Sequence, residues 1–108
     1  MKLYLPLLGL ALLSSGVIAQ TTDSSKTINQ LGLQNSSPAV AYFGAVEGFT
    51  LNCEFGVIYT DITTSFGQAA YANLLAAKIS GRMLSRITYT QSGGPGTMCS
   101  LILVEVQN

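Results

Sequence analysis

Apolar and polar residues alternate most regularly between Phe49 and Phe55. Phe49, Leu51, Cys53 and Phe55 share one side, and Thr50, Asn52 and Glu54 the other. A two-residue period predicts a half-buried strand with Cys53 directed into the core. After Gly56, Val57 to Ile62 is rich in β-branched and aromatic residues and predicts more strand, with a bulge or tight turn at the glycine. Upstream, Ile28, Leu31 and Leu33 predict a weaker first strand, kinked at Gly32. The turn cluster Asn35-Ser36-Ser37-Pro38 leads to a short second strand from Ala39 to Phe43. Residues 20–26 are polar and aperiodic and read as a flexible lead-in to a single domain spanning 27–108.

The period then changes. Phe66, Ala70 and Leu74 form one i, i+4 row and Tyr71, Leu75 and Ile79 the next, the broad apolar stripe of an amphipathic helix. Ser65 is placed to cap its start with Gln68 completing a capping box, and Gly81 to end it in the left-handed conformation. Met83 to Thr90 returns to strand, with Ile87 and Tyr89 on one face. The glycine-rich turn 91–97 follows, and then a last strand, Met98 to Val106. Its run Leu101-Ile102-Leu103-Val104 predicts burial on both faces. The order β-β-β-α-β-β makes a small β-rich α+β fold. It matches the OB-fold, a five-stranded Greek-key barrel with one helix; an antiparallel sheet covered by one helix is the alternative.

The chain start changes the picture of where this domain works. Lys2, the apolar stretch Leu3–Leu13, the small residues 14–16 and Val17-Ile18-Ala19 have the layout of a signal peptide cleaved after Ala19. The apolar core is shorter than the ~20 residues of a membrane span, so residues 1–19 are expected to be removed and the protein secreted or periplasmic. Cys53 and Cys99 are the only cysteines, and an even pair in an exported chain predicts a disulfide. The staple would contribute ~4 kcal/mol in the loop-entropy model, which matters for a domain too small for a large core.

Charge and residue inventory narrow the chemistry. After cleavage Lys26, Lys78, Arg82 and Arg86 face Asp23, Glu47, Glu54, Asp61 and Glu105, giving no electrostatic reason to expect nucleic acid as partner. With no histidine in the chain, a metal site, a cofactor and a nucleophile–base pair are not expected, and the protein reads as a non-enzyme. Candidate ligand-binding groups are Tyr42, Glu47 and Tyr59, with the Gly93–Gly96 loop. Arg82 and Arg86 are the close basic pair able to meet an acidic sugar or partner. Against this, an aromatic residue in an alternating strand is more often core, and basic residues after a helix often serve its dipole.

Two resemblances bear on function. Leu74-Leu75-Ala76-Ala77-Lys78-Ile79-Ser80-Gly81-Arg82, with Cys53-Glu54-Phe55-Gly56 upstream and Cys99 downstream, resembles a family of small exported bacterial proteins without established function. That resemblance covers roughly residues 50–106 and implies export and the disulfide. The order of elements is similar to that of the receptor-binding B subunits of AB5 toxins, which are glycan-binding rings. It implies a homo-oligomer with a glycan or protein partner, although no sugar-binding motif carries over and tryptophan is absent. The expected function is an exported binding module; the alternative is a monomeric envelope or inhibitor-type protein acting through a protein–protein contact.

Overall fold

The computed structural model describes residues 19–108. Of the expected signal peptide, all but Ala19 lies outside the described residues. Six strands and one helix follow in chain order: β1 (Ala19–Lys26), β2 (Ile28–Gln34), β3 (Val40–Ala45), β4 (Ile58–Asp61), α1 (Ser65–Ser80), β5 (Leu84–Gln91) and β6 (Cys99–Val106). They form one sheet in the order β1-β5-β6-β4-β3-β2. Every pairing is antiparallel except β4 with β6, where Ile58 lies beside Cys99 and Tyr59 beside Ser100. The fold is thus a small β-rich α+β fold with a mixed sheet and one helix. This corrects the antiparallel alternative.

Neither does the sheet close into a five-stranded hydrogen-bonded barrel. Its two outermost strands, β1 and β2, are consecutive in the chain and joined through Thr27, yet each pairs inward and not with the other. The Glu47 carboxylate clamps that junction: Oε1 accepts the Thr27 backbone N–H at 2.7 Å and Oε2 the Thr27 hydroxyl at 2.8 Å. These bonds, backbone first, hold the Glu47 carboxyl below its ordinary value.

The flexible lead-in is corrected to an edge strand. Residues 19–26 pair with β5 from Ala19 opposite Gln91 to Lys26 opposite Leu84. Periodicity missed it because its inward side chain is a carboxylate. Asp23 is buried, and its Oδ2 accepts the Thr50 N–H and the Tyr89 hydroxyl, both at 2.9 Å. Burial alone would raise the Asp23 carboxyl. The hydrogen bonds from Thr50 and Tyr89, with the nearby Lys26 charge, outweigh that and leave it lowered.

The strand expected at 49–55 is absent as well. Side chains there do alternate, with Cys53 buried and Phe49 and Leu51 packed against the core. The backbone donors, however, go to isolated partners: Thr50 to Asp23, Leu51 to the Tyr89 hydroxyl, Glu54 to the Thr97 carbonyl. Phe55, expected inside, stands 81% exposed in a short 3-10 turn, Glu54–Gly56.

The helix is capped by Thr64 and not by Ser65, which is its first helical residue. The Thr64 hydroxyl accepts the Gly67 N–H at 2.9 Å, while the Gln68 side chain donates to the Ile62 carbonyl. Gly81, at φ 72, ends it as expected. Its buried face is Gly67, Ala70, Leu74 and Ala77, small residues that bring it close to the sheet; a Cβ on Gly67 would collide with the Asp61 carbonyl. The core joins this face to Ile28, Phe43, Ile58, Leu84, Ile87, Tyr89, Leu101 and the Cys53–Cys99 disulfide. In β6 Leu101 is buried but Ile102 is 45% exposed, so the last strand is covered on one face only. Among the described residues no helix is long and apolar enough to cross a membrane. The disulfide is consistent with an oxidising compartment.

Candidate functional site

On the sheet face turned away from that core, β3 and β4 place a second, smaller apolar cluster: Val40, Val57 and Tyr59, with Tyr42 packed against it. Tyr42 lies opposite Tyr59 in the ladder, their ring centroids 5.9 Å apart. Gly32 in β2 makes this possible, since the Tyr42 ring occupies the space a Cβ there would need. Among the described residues neither tyrosine hydroxyl has a hydrogen-bond partner within the chain. Burial, then the charge of Glu54 and the neighbouring Tyr42, raises the Tyr59 phenol above its ordinary value, so it remains a neutral donor and acceptor.

Phe55, beside this cluster, lines two neighbouring hollows. The larger, about 650 Å³, is lined by Tyr59, Glu54, Asp61, Phe66 and Met98 together with Gln34, Ser36 and Ser37. The smaller, about 230 Å³, is bounded by Gln30, Gln34, Tyr42, Val57 and Tyr59. Phe55, Tyr59 and Gln34 line both hollows, so the two adjoin along one groove, with the exposed Phe55 ring where they meet. Phe66 and Met98 add exposed apolar surface at 44% and 46%.

The covalent frame explains how this exposed rim is held. Cys53 immediately precedes the Glu54–Gly56 turn, and Cys99 immediately follows Met98. The disulfide therefore ties the turn that carries Phe55 to the chain beside Met98, and both residues line the larger hollow. The glycine-rich turn supports it from beneath: the buried Gln91 amide donates to the Asn52 and Thr97 carbonyls at 2.7 and 2.9 Å, and Gly96 N–H to Asn52 at 2.7 Å. Phe55 itself has φ 58. This is a left-handed conformation that costs a non-glycine residue ~1–3 kcal/mol. An exposed ring held at such a cost, directly before Gly56 at φ 68, has no packing reason to be there.

The candidate residues separate into two groups. Tyr42 and Tyr59 line the groove. Glu47 clamps Thr27, and neither Arg82 nor Arg86 is among the groove's lining residues. Arg86 is 3.6 Å from Glu105 on the neighbouring strand, both about half exposed. The Gly93–Gly96 loop is exposed and is joined to the 52–54 segment at its base, where Gly96 N–H donates to the Asn52 carbonyl and Glu54 N–H to the Thr97 carbonyl. Sequence reasoning missed Phe55 and Gln34. The signal for Phe55 was available in Cys53-Glu54-Phe55-Gly56, where a glycine directly after an apolar residue marks a turn and not an unbroken strand.

Polar groups in the groove are amides, hydroxyls and two carboxylates. Asp61 Oδ1 accepts the Thr63 hydroxyl at 2.6 Å and its N–H at 2.9 Å, which together hold the Asp61 carboxyl below its ordinary value. Among the described residues no group of three or more His, Cys, Asp or Glu could hold a metal ion. What the arrangement offers is an exposed aromatic ring for stacking, flanked by amides, hydroxyls and the carboxylates of Glu54 and Asp61. Compared with known proteins, the chain matches no family model, no curated protein and no solved structure.

Proposed function

We propose that this protein is an exported, non-catalytic binding module whose groove along Phe55 and Tyr59 holds a glycan. The observation that carries the reading is the exposed ring: an 81% exposed phenylalanine in a left-handed backbone conformation, in a turn stapled by a disulfide, where two hollows meet. Apolar sugar faces stack on such rings while hydroxyls meet amides such as Gln30 and Gln34. The architecture is read as OB-like, with residues 19–34 as one bent first strand broken at Thr27. The parallel β4–β6 pair and the helix between β4 and β5 support that reading. Export rests on the layout of the first 19 residues and is supported by the disulfide.

The module is proposed to act as a homo-oligomer. Leu75 and Ile79 on the outer row of α1 are 38% and 78% exposed, with Tyr71 half-buried beside them. Had that row been buried within the chain, the monomeric protein-contact reading would be favoured. Native mass spectrometry of the oxidised mature protein tests assembly: a closed ring is expected, and a clean monomer would overturn it. A glycan array read with the parent protein and Phe55→Ala tests recognition. Binding by the parent, lost in the variant, is expected; a parent that binds no glycan rejects the reading.

A further inference from the structure

Resting on the glycan reading of the groove, the geometry points to a non-acidic oligosaccharide of at least two rings that straddles Phe55. Length follows from the shape. Two hollows of about 650 and 230 Å³ share Gln34, Phe55 and Tyr59, so a ligand using the whole groove must enter both. A single sugar ring seated in one hollow leaves the other empty, whereas two joined rings can reach both past the shared Phe55.

Charge follows from the lining. Glu54 and Asp61 flank the larger hollow, and no Lys or Arg lines either hollow among the described residues. Asp61 has one oxygen engaged by Thr63, and Glu54 lies close enough to raise the Tyr59 phenol. A sialic or uronic acid placed here would meet two like charges and no cation to compensate them. The basic pair Arg82 and Arg86 cannot supply one, since neither lines the groove and Arg86 lies against Glu105. The other polar side chains of the lining, among them Gln30, Gln34, Ser36 and Ser37, are uncharged and match neutral hydroxyls and amides as donors and acceptors.

The test is an array of neutral mono- to tetrasaccharides printed beside the same chains capped with a sialic or uronic acid, followed by calorimetry on the tightest neutral chain. Neutral disaccharides or longer should bind at least ~10-fold more tightly than their monosaccharides and than their acid-capped partners. Glu54→Gln should narrow the ratio of neutral to acid-capped affinity, and Phe55→Ala should cost ~10-fold or more on neutral chains. Near-UV circular dichroism confirms that both variants fold, which the exposure of both side chains favours. Preference for acid-capped chains would overturn the charge assignment while leaving glycan recognition standing. A monosaccharide bound as tightly as its disaccharide would overturn the two-hollow span. Silence of the parent protein on every glycan would instead overturn the glycan reading on which both rest.

Discussion

Tyr89 and Tyr59 sit on β5 and β4, with β6 between them, and their surroundings differ in kind. Tyr89 is fully buried; its hydroxyl donates to Asp23 and accepts the Leu51 N–H, tying β1 and the 49–53 loop to the sheet. Tyr59 faces the other side, against Tyr42, with its hydroxyl unpartnered within the described residues and a groove in front of it. One face of the sheet uses tyrosine to close the core. The other leaves aromatic rings and hydrogen-bonding capacity unspent, and that is the face proposed to meet ligand. The chemistry of the side chain is the same on both; what differs is whether the fold has already satisfied it.

Breaking the disulfide should have the largest effect, because it underlies both faces. Cys99→Ser, or reduction, is expected to cost ~4 kcal/mol in urea unfolding, since the crosslink closes a long loop. A loss below about 1 kcal/mol would mean the hydrogen bonds of 52–54 with 96–97 hold the groove unaided. Hydroxyl deletion then separates the two tyrosines directly. Tyr89→Phe removes one of the two donors to Asp23 Oδ2, leaves the Leu51 N–H without its acceptor and should cost ~1–3 kcal/mol, whereas Tyr59→Phe should stay within ~0.5 kcal/mol. Equal losses would erase the distinction between the faces.

Acid and alkali probe the buried network without mutation. The folded Asp23 carboxyl titrates below its ordinary value of 3.8, so its stabilisation is present above that pH and is lost as pH falls through the folded value. Tyr89, mainly through burial and then its contact with Asp23, is pushed up to about 12 from 10.0. Its neutral form is the one the fold holds, so that stabilisation is present below pH 10.0 and is lost as pH rises towards about 12. Thermal midpoints across pH should therefore drop at both ends, and Tyr89→Phe should flatten the alkaline limb.

Smaller effects belong to the outer surface. Phe55→Gly removes an exposed ring from a left-handed residue and should raise stability by ~1 kcal/mol or less, while abolishing binding in the proposed groove. A destabilised Phe55→Gly would show that the ring contributes to the fold. Smallest of all, Ile79→Ser should change unfolding free energy by no more than ~0.5 kcal/mol. In analytical ultracentrifugation it should nonetheless weaken the proposed assembly; an unaltered sedimentation profile would remove α1 from the interface.

The sequence by itself determined the β-rich composition, the helix from its i, i+4 rows, its glycine terminus, the β5–β6 hairpin and the pairing of Cys53 with Cys99. These depend on local propensity or on there being a single possible partner. Only the tertiary structure decided that the polar stretch 19–26 is a strand, because the buried Asp23 is made tolerable by Thr50 and Tyr89, far away in sequence. It likewise decided that Phe49, Leu51 and Cys53 reach the core from a loop, and that Phe55, next in the same alternation, does not. Periodicity reports which way side chains point along a regular backbone. It is blind to hydrogen bonds supplied across the fold, and to a left-handed residue that turns one ring out of the pattern and into the groove.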